Sequence, residues 1–363
     1  MKKGILLLLF VSILFTSNYS YGEKPSVIAQ SAILVDMESG RVLFELNPYN
    51  KLPMASTTKI MTGLIALKEG NVEDKVEIKS TCVGIEGSSI YLYDGEIISL
   101  EDLLYGLMLR SGNDAAVAIA DYIGNSTDEF VFMMNEKAKQ IGAKDTNFVN
   151  PHGLHDDNHY TTAYDLALIT REAMDIKKFA EIVESKMWKA HREKNNLFYN
   201  KNNTLWEYEG GNGVKIGYTM KAGRCLVSSA TRGGRTLIAI VLNDRNWFED
   251  CYSLLDYGFK EFKNYVIWDA GQYLMEVPVI NGKKDSVPVV VEKLFTYPLK
   301  EEELKNIKIY IDMPDEIVAP VEKGHIIGKV KVYLDGVFFH EENIVSKESI
   351  AKLGYLEKMI KNK

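Results

Sequence analysis

The chain has 363 residues, a formal net charge of −7 and 46% apolar composition, enough for one large globular domain and a smaller one. An acidic balance excludes nucleic acid as a partner, because phosphate binding needs a basic face. The three cysteines, Cys82, Cys225 and Cys251, are too few for a disulfide framework and are expected as small buried apolar groups.

The chain opens Met1-Lys2-Lys3, runs apolar over residues 5–15 and leaves through Ser17-Asn18-Tyr19-Ser20. A charged start, a short apolar run and a small polar exit predict a secretory signal peptide over residues 1–22. The run is too short for a bilayer span, which takes about 20 residues. Its removal takes away two lysines and no acid, so the net charge falls from −7 to −9. The mature chain is expected outside the cytoplasm.

Residues 32–45 alternate as strand, Glu38-Ser39-Gly40 turn and strand, a hairpin signal. Ile60, Met61, Leu64, Ile65 and Leu67 give residues 56–69 helical spacing. Residues 100–108, 115–123, 128–141 and 163–174 predict four more helices, and Asn150-Pro151-His152-Gly153-Leu154 a loop rich in breakers. Residues 214–219, 225–231 and 236–243 predict three strands, followed by a helix over 247–262. Strands from both ends enclosing helices make an α+β fold with an antiparallel sheet flanked by helices. The catalytic domain is expected over 23–264.

Residues 265–345 predict a small β-sandwich. Its strands fall at 274–280, 287–291, 307–311, 325–334 and 337–339, with hairpin turns at Asn281-Gly282 and Asp335-Gly336. Pro278, Pro288 and Pro320 suit strand ends or edges. A tail over 346–363 places Ile350, Leu353, Leu356, Met359 and Ile360 on one helical face beside five lysines. Two readings stay open for it: a helix in an anionic membrane interface, or a solvated helix docked on its own domain.

Three short motifs carry chemistry. Ser56-Thr57-Thr58-Lys59 opens a helix, Ser111-Gly112-Asn113 sits in a turn between helices, and Lys215-Ile216-Gly217 lies on a strand. A serine hydroxyl is a weak nucleophile until a neighbour takes its proton. Lys59, three residues on, shares the helical face of Ser56. Burial and a nearby cation, with Lys215 the candidate, would lower the Lys59 pKa towards that of a useful base. Each motif alone is weak; the three together, in this order, match an acyl-transfer signature.

The flanks Leu52-Pro53-Met54-Ala55 to Ile60-Met61-Thr62, Ser111-Gly112-Asn113-Asp114-Ala115-Ala116, Asn150-Pro151-His152-Gly153-Leu154 and Gly213-Val214-Lys215-Ile216-Gly217-Tyr218-Thr219 resemble the serine D-alanyl-D-alanine carboxypeptidases, the low-molecular-weight penicillin-binding proteins. The likeness runs over residues 31–262. It continues more weakly through Ala319-Pro320-Val321-Glu322-Lys323-Gly324 into what resembles the family's β-rich C-terminal domain.

The resemblance implies that Ser56 attacks the carbonyl between the two terminal D-alanines of a peptidoglycan stem peptide, and that Lys59 takes its proton. Ser111 would relay a proton to the leaving amine. Asn113, Lys215, Gly217 and Tyr218 would bind substrate, with the N–H groups of Ser56 and Tyr218 forming an oxyanion hole. β-Lactams would acylate Ser56; no cofactor or metal is implied. One position departs from the pattern: Ile216 stands where the family carries Thr or Ser, whose hydroxyl helps hold the substrate carboxylate. Thr219, Arg224 and Arg245 are the candidates to replace it.

His152, His155 and His159, with Asp156 and Asp157, would suit zinc by type. They follow a Pro-Gly loop inside the resembling stretch and are read as a border of the active site. Three other functions are weighed: a transpeptidase, a weak β-lactamase, and a wall-binding protein impaired by Ile216. The long C-terminal β unit and the lack of a Glu-bearing deacylation loop argue against a β-lactamase.

Overall fold

The structure, a computed structural model, describes residues 24–355 and Glu357. The expected signal peptide lies outside the described residues. One compact unit runs to Lys260 and a second begins at Glu261.

The first unit opens with the hairpin β1 (Ser31–Asp36) and β2 (Val42–Leu46). A 3₁₀ turn, Ala55–Thr58, then leads into α1 (Lys59–Glu69). The ribbon β3 (Lys75–Glu77) and β4 (Ile97–Ser99) precedes five helices: α2 (Leu100–Leu109), α3 (Asn113–Gly124), α4 (Thr127–Ile141), α5 (Ala163–Met174) and α6 (Lys177–Glu184). A second ribbon, β5 (Met187–Lys189) with β6 (Leu197–Tyr199), and a single turn α7 (Thr204–Glu207) follow. The unit closes with β7 (Gly211–Thr219), β8 (Gly223–Arg232), β9 (Arg235–Leu242) and α8 (Trp247–Glu261).

The main sheet has the order β2-β1-β9-β8-β7 and is antiparallel throughout, so both ends of the unit meet at the β1–β9 pair. Residues 237–242 of β9 are buried without a break, as a strand covered on both faces requires. Ile33, Val35, Ile238, Ile240 and Leu242 share one core with α1 to α6. On the other face α8 comes so close that a β-carbon on Gly258 would stand 2.6 Å from Leu237 and 2.7 Å from Leu34. Helix starts are capped by hydroxyls: Ser99, Ser126 and Thr162 accept N–H bonds from Asp102, Glu129 and Asp165. Each such cap contributes about 1 kcal/mol.

The second unit is β-rich, as expected. Its strands are β10 (Lys263–Trp268), β11 (Tyr273–Ile280), β12 (Ser286–Val291), β13 (Phe295–Leu299), β14 (Ile307–Asp312), β15 (Ile317–Val318), β16 (Ile326–Leu334) and β17 (Val337–Ser346). A six-stranded sheet of order β14-β16-β17-β12-β11-β15 and the β10-β13 pair enclose a core of Trp268, Val277, Val289, Val332 and Ile344 among others. Pro278 and Pro288 each sit one residue before a neighbouring strand begins to pair, where no N–H is needed. Asp335 and Gly336 both take positive φ, 51° and 81°, as a two-residue hairpin turn demands.

The tail differs from expectation. Residues 346–353 are not the start of an amphipathic helix. Ser346 ends β17, Ile350 is buried and bridges to Val321, and Lys352 bridges to Gly282. The apolar Ile350 gains more from sheet-edge pairing and burial than from an exposed helical face. Leu356, Met359 and Ile360 lie outside the described residues.

Candidate active site

Ser56 lies in the 3₁₀ turn ahead of α1, following Ala55 in a left-handed conformation (φ 49°). That turn is tied from within: the Thr57 hydroxyl donates to the Met54 carbonyl at 2.7 Å and the Thr58 hydroxyl to the Ala55 carbonyl at 2.8 Å. His159 braces it from below. Its Nδ1 accepts the Val149 N–H at 3.0 Å, so the ring proton resides on Nε2 and is donated to Thr58 Oγ1 at 2.8 Å. Burial lowers the His159 pKa to about 4, keeping this tautomer neutral. Gly153, at φ +90°, passes so near that a β-carbon would fall 1.9 Å from the Ala55 carbonyl oxygen. Only glycine fits there.

Lys59, the first residue of α1, is fully buried. Its Nζ lies 2.6 Å from Asn113 Oδ1, 2.6 Å from the His152 carbonyl and 3.1 Å from Ser56 Oγ. Burial, reinforced by the charge of Lys215, drives its pKa well below that of a free lysine, while Asp114 pulls it partly back. A neutral amine has two N–H donors and one lone pair. The two short contacts use both donors, which leaves the lone pair for the Ser56 hydroxyl.

Asn113 is the first residue of α3 and is almost wholly buried. Its Nδ2 donates to the Glu86 carbonyl at 2.5 Å, and its backbone N–H to the Ser88 carbonyl at 2.7 Å. Ser111 is held at φ 62° and buried at the turn into α3. Among the described residues its hydroxyl makes no hydrogen bond to Ser56, Lys59 or Lys215.

The third motif lies on the edge strand β7. Lys215 is buried there, with its Nζ donating to the Ile216 carbonyl at 3.2 Å. Burial and the charge of Lys201 lower its pKa to about 7. Gly217 runs against the nucleophile turn, whereas the Tyr218 side chain is 62% exposed. Ile216 is half-buried and pairs with Leu226. Of its candidate substitutes, Thr219 Oγ1 already accepts the Ala222 N–H at 3.0 Å. The Arg224 guanidinium donates to the Arg245 carbonyl at 3.1 Å and lies over the Trp247 ring.

Sequence reasoning missed two groups. Lys201 is exposed, close enough to Arg110 to feel its charge, and its own charge reaches both Lys59 and Lys215. Among the described residues none of these three lysines forms an ion pair with a carboxylate. Asp114 is buried and fastens the 89–92 loop beside Asn113; its place directly after Ser-Gly-Asn was the available signal. The histidines take separate roles. His159 braces the nucleophile turn, His152 accepts the Leu154 N–H at 3.1 Å, and His155 meets Asp157 at 3.2 Å. Among the described residues no three His, Cys, Asp or Glu side chains group to hold a metal.

The chain is similar to known proteins along most of its length. The sequence profile of the D-alanyl-D-alanine carboxypeptidase family matches residues 19–246, and that of the penicillin-binding protein 5 C-terminal domain matches residues 262–352. The D-alanyl-D-alanine carboxypeptidase DacF of Bacillus subtilis (strain 168) is 34% identical over 370 residues, covering 97% of this chain and 94% of its own. The Escherichia coli (strain K12) D-alanyl-D-alanine carboxypeptidase DacC is 32% identical, covering 96% and 90%. The crystal structure of penicillin-binding protein 5 from Haemophilus influenzae superimposes with a TM-score of 0.77 at 31% identity, covering 90% of this chain and 99% of that one.

Proposed function

Because this chain belongs to the family of serine D-alanyl-D-alanine carboxypeptidases, we propose that Ser56 is its acylated nucleophile and Lys59 the base that activates it. The protein is a serine hydrolase that removes the terminal D-alanine from peptidoglycan stem peptides. The observation that carries the residue roles is the Lys59 amine. Both its N–H donors are engaged at 2.6 Å, and its remaining direction faces Ser56 Oγ at 3.1 Å.

The lone pair of Lys59 takes the Ser56 proton as Oγ bonds to the carbonyl carbon between the two D-alanines. The N–H groups of Ser56 and Tyr218 receive the oxyanion. The C–N bond then breaks, the leaving amine takes a proton through Ser111, and D-alanine departs. Water next attacks the ester carbonyl, giving a proton to Lys59; the C–Oγ bond breaks, Lys59 returns that proton to Ser56 Oγ, and the shortened peptide leaves with its new carboxylate. The terminal carboxylate of the substrate is drawn by Lys201 and by the protonated fraction of Lys215, whose pKa of about 7 a bound carboxylate would raise. Lys201 thereby takes on part of the work of the hydroxyl missing at Ile216.

Among the described residues no helix is long and apolar enough to cross a membrane. The charged-apolar-polar start of the sequence supports export through a signal peptide at residues 1–22, and the lysines after Gly354 support peripheral contact with an anionic membrane. Labelling with a reporter penicillin followed by peptide mass spectrometry tests the nucleophile. The adduct should fall on Ser56 and vanish in a folded Ser56→Ala protein; an adduct on another residue overturns the assignment.

A further inference from the structure

The loop over residues 86–92 is joined to α3 by the Asn113 bonds to the Glu86 and Ser88 carbonyls and, over its second half, by one carboxylate. Asp114 Oδ2 accepts the Ser89 hydroxyl at 2.5 Å and the Leu92 N–H at 3.1 Å, while Oδ1 accepts the Ile90 N–H at 3.0 Å and the Ala115 N–H at 2.9 Å. The side chain is 1% exposed. A buried carboxylate satisfied by this many donors fixes their mutual geometry, because losing any of them leaves charge unpaired.

The far side of the loop is clamped as well. Arg192 donates to the Ile90 carbonyl at 2.7 Å, the Tyr91 carbonyl at 2.9 Å and Glu96 at 2.9 Å. Between the clamps Tyr91 is held at φ 60°, its N–H bonded to Ser89 Oγ at 2.8 Å. A bulky side chain rarely adopts that conformation, and it persists where surrounding bonds over-determine it.

What this loop presents to the site is the Glu86 carbonyl, the acceptor for Asn113 Nδ2. An amide has two inequivalent ends. While Nδ2 is held by Glu86, Oδ1 must face Lys59. If the loop slips, the amide can turn, and Lys59 loses one of the two acceptors that orient its lone pair. We propose that Asp114 is a positioning residue for acylation, which acts through the 86–92 loop to fix the Asn113 amide against Lys59. The proposal rests on the Ser56–Lys59 reading, which fails separately: wild-type protein would then carry no penicilloyl group on Ser56.

The groups that face Lys59 are Lys215 on β7, Lys201 after β6, Asp114 on α3, and His152 and His159 in the loop before α5. Only Asp114 raises the Lys59 pKa. Lys59 must be neutral to act, so the acid limb of the acylation profile marks its protonation. Removing the charge of Asp114 lowers that pKa and moves the limb to lower pH.

The test measures second-order acylation of the full-length wild-type, Asp114→Asn and Ser89→Ala proteins by a reporter penicillin between pH 5 and 9, with thermal unfolding alongside. Asp114→Asn is expected to slow acylation by on the order of 10²-fold, the scale of a misplacement near 1 Å, with the acid limb displaced to lower pH. Ser89→Ala keeps the charge and should slow acylation by roughly tenfold without displacing the limb. Asp114→Asn acylating within twofold of wild type, or slowed with its limb in place, overturns the proposal. Should Asp114→Asn fail to fold, Ser89→Ala decides: a rate within twofold of wild type overturns it as well.

Discussion

Gly217 passes so close to Ser56 that a β-carbon on it would stand 2.9 Å from the Ser56 nitrogen and 3.2 Å from the Ala55 β-carbon. The edge strand β7 and the nucleophile turn are thus in backbone contact, which puts the Ser56 N–H beside the strand expected to supply the second oxyanion donor. Gly217→Ala must push β7 away from the turn. A shift approaching 1 Å at reacting groups costs on the order of 10²-fold in rate, while an edge strand can move without unfolding the sheet. The expected outcome is a large loss of acylation rate with a small change in Tm, read by stopped-flow acylation and calorimetry. Retention of the full rate would remove Gly217 from the site.

Lys59→Ala should slow acylation by about 10²–10⁴-fold, the range of a general base. The same change empties a fully buried position and strips Asn113 Oδ1 and the His152 carbonyl of their shared donor, so Tm should fall too. Lys59→Met fills the volume without the amine and separates the two effects. The rate loss should persist in Lys59→Met while much of the Tm returns.

Stability should fall in mild acid because of His159. Burial places its folded pKa at about 4, below the ordinary 6.5. Between those values the unfolded chain binds the proton and the folded chain does not, so stability is fully present above pH 6.5 and declines as pH drops towards 4. At 1.36 kcal/mol per pH unit the loss reaches roughly 3 kcal/mol. Urea unfolding of wild type and His159→Gln at pH 7 and 4.5 checks it: the glutamine variant should lose less stability between the two conditions. Equal losses would mean that the acid sensitivity arises elsewhere, with half-buried His152, lowered to about 3, the next group to replace.

Much of this was legible in the sequence because its cause is local. Ser56 and Lys59 meet through helical geometry over three residues, and Asp335-Gly336 forms a turn by its own φ preference. The short ribbon strands Met187–Lys189 and Leu197–Tyr199 escaped because three residues show no period. Lys201 was missed because its influence on Lys59 and Lys215 exists only once β7 lies beside it. Ile350 misled: its spacing with Leu353 fits a helical face, yet its backbone bridges to Val321, a pairing across 29 residues that no local pattern encodes. Asp114 was in view as part of the motif, but its partners lie 22 to 25 residues earlier.

Ile216 stands where the resemblance leads one to expect a threonine or serine, and its replacement gives the sharpest test of substrate recognition. A threonine there would supply a hydroxyl to a site whose other proposed attractions for a carboxylate are the charges of Lys201 and Lys215. A hydrogen bond to a charged group is worth roughly 1.5–3 kcal/mol, so Ile216→Thr should raise kcat/KM for a diacetyl-lysyl-D-alanyl-D-alanine peptide by about tenfold or more. Threonine keeps β-branching and strand propensity, and the side chain at 216 is only half-buried, so the Leu226 pairing should survive with a modest fall in Tm. Lys201 supplies the control. If it already holds the carboxylate, Lys201→Met alone should cut kcat/KM sharply, and adding Ile216→Thr should recover part of the loss. Steady-state kinetics of the two single variants and the double variant resolve the matter. No gain from threonine, together with a large loss from Lys201→Met, means that Lys201 alone holds the carboxylate. No effect from either directs attention to Arg224 and Arg245.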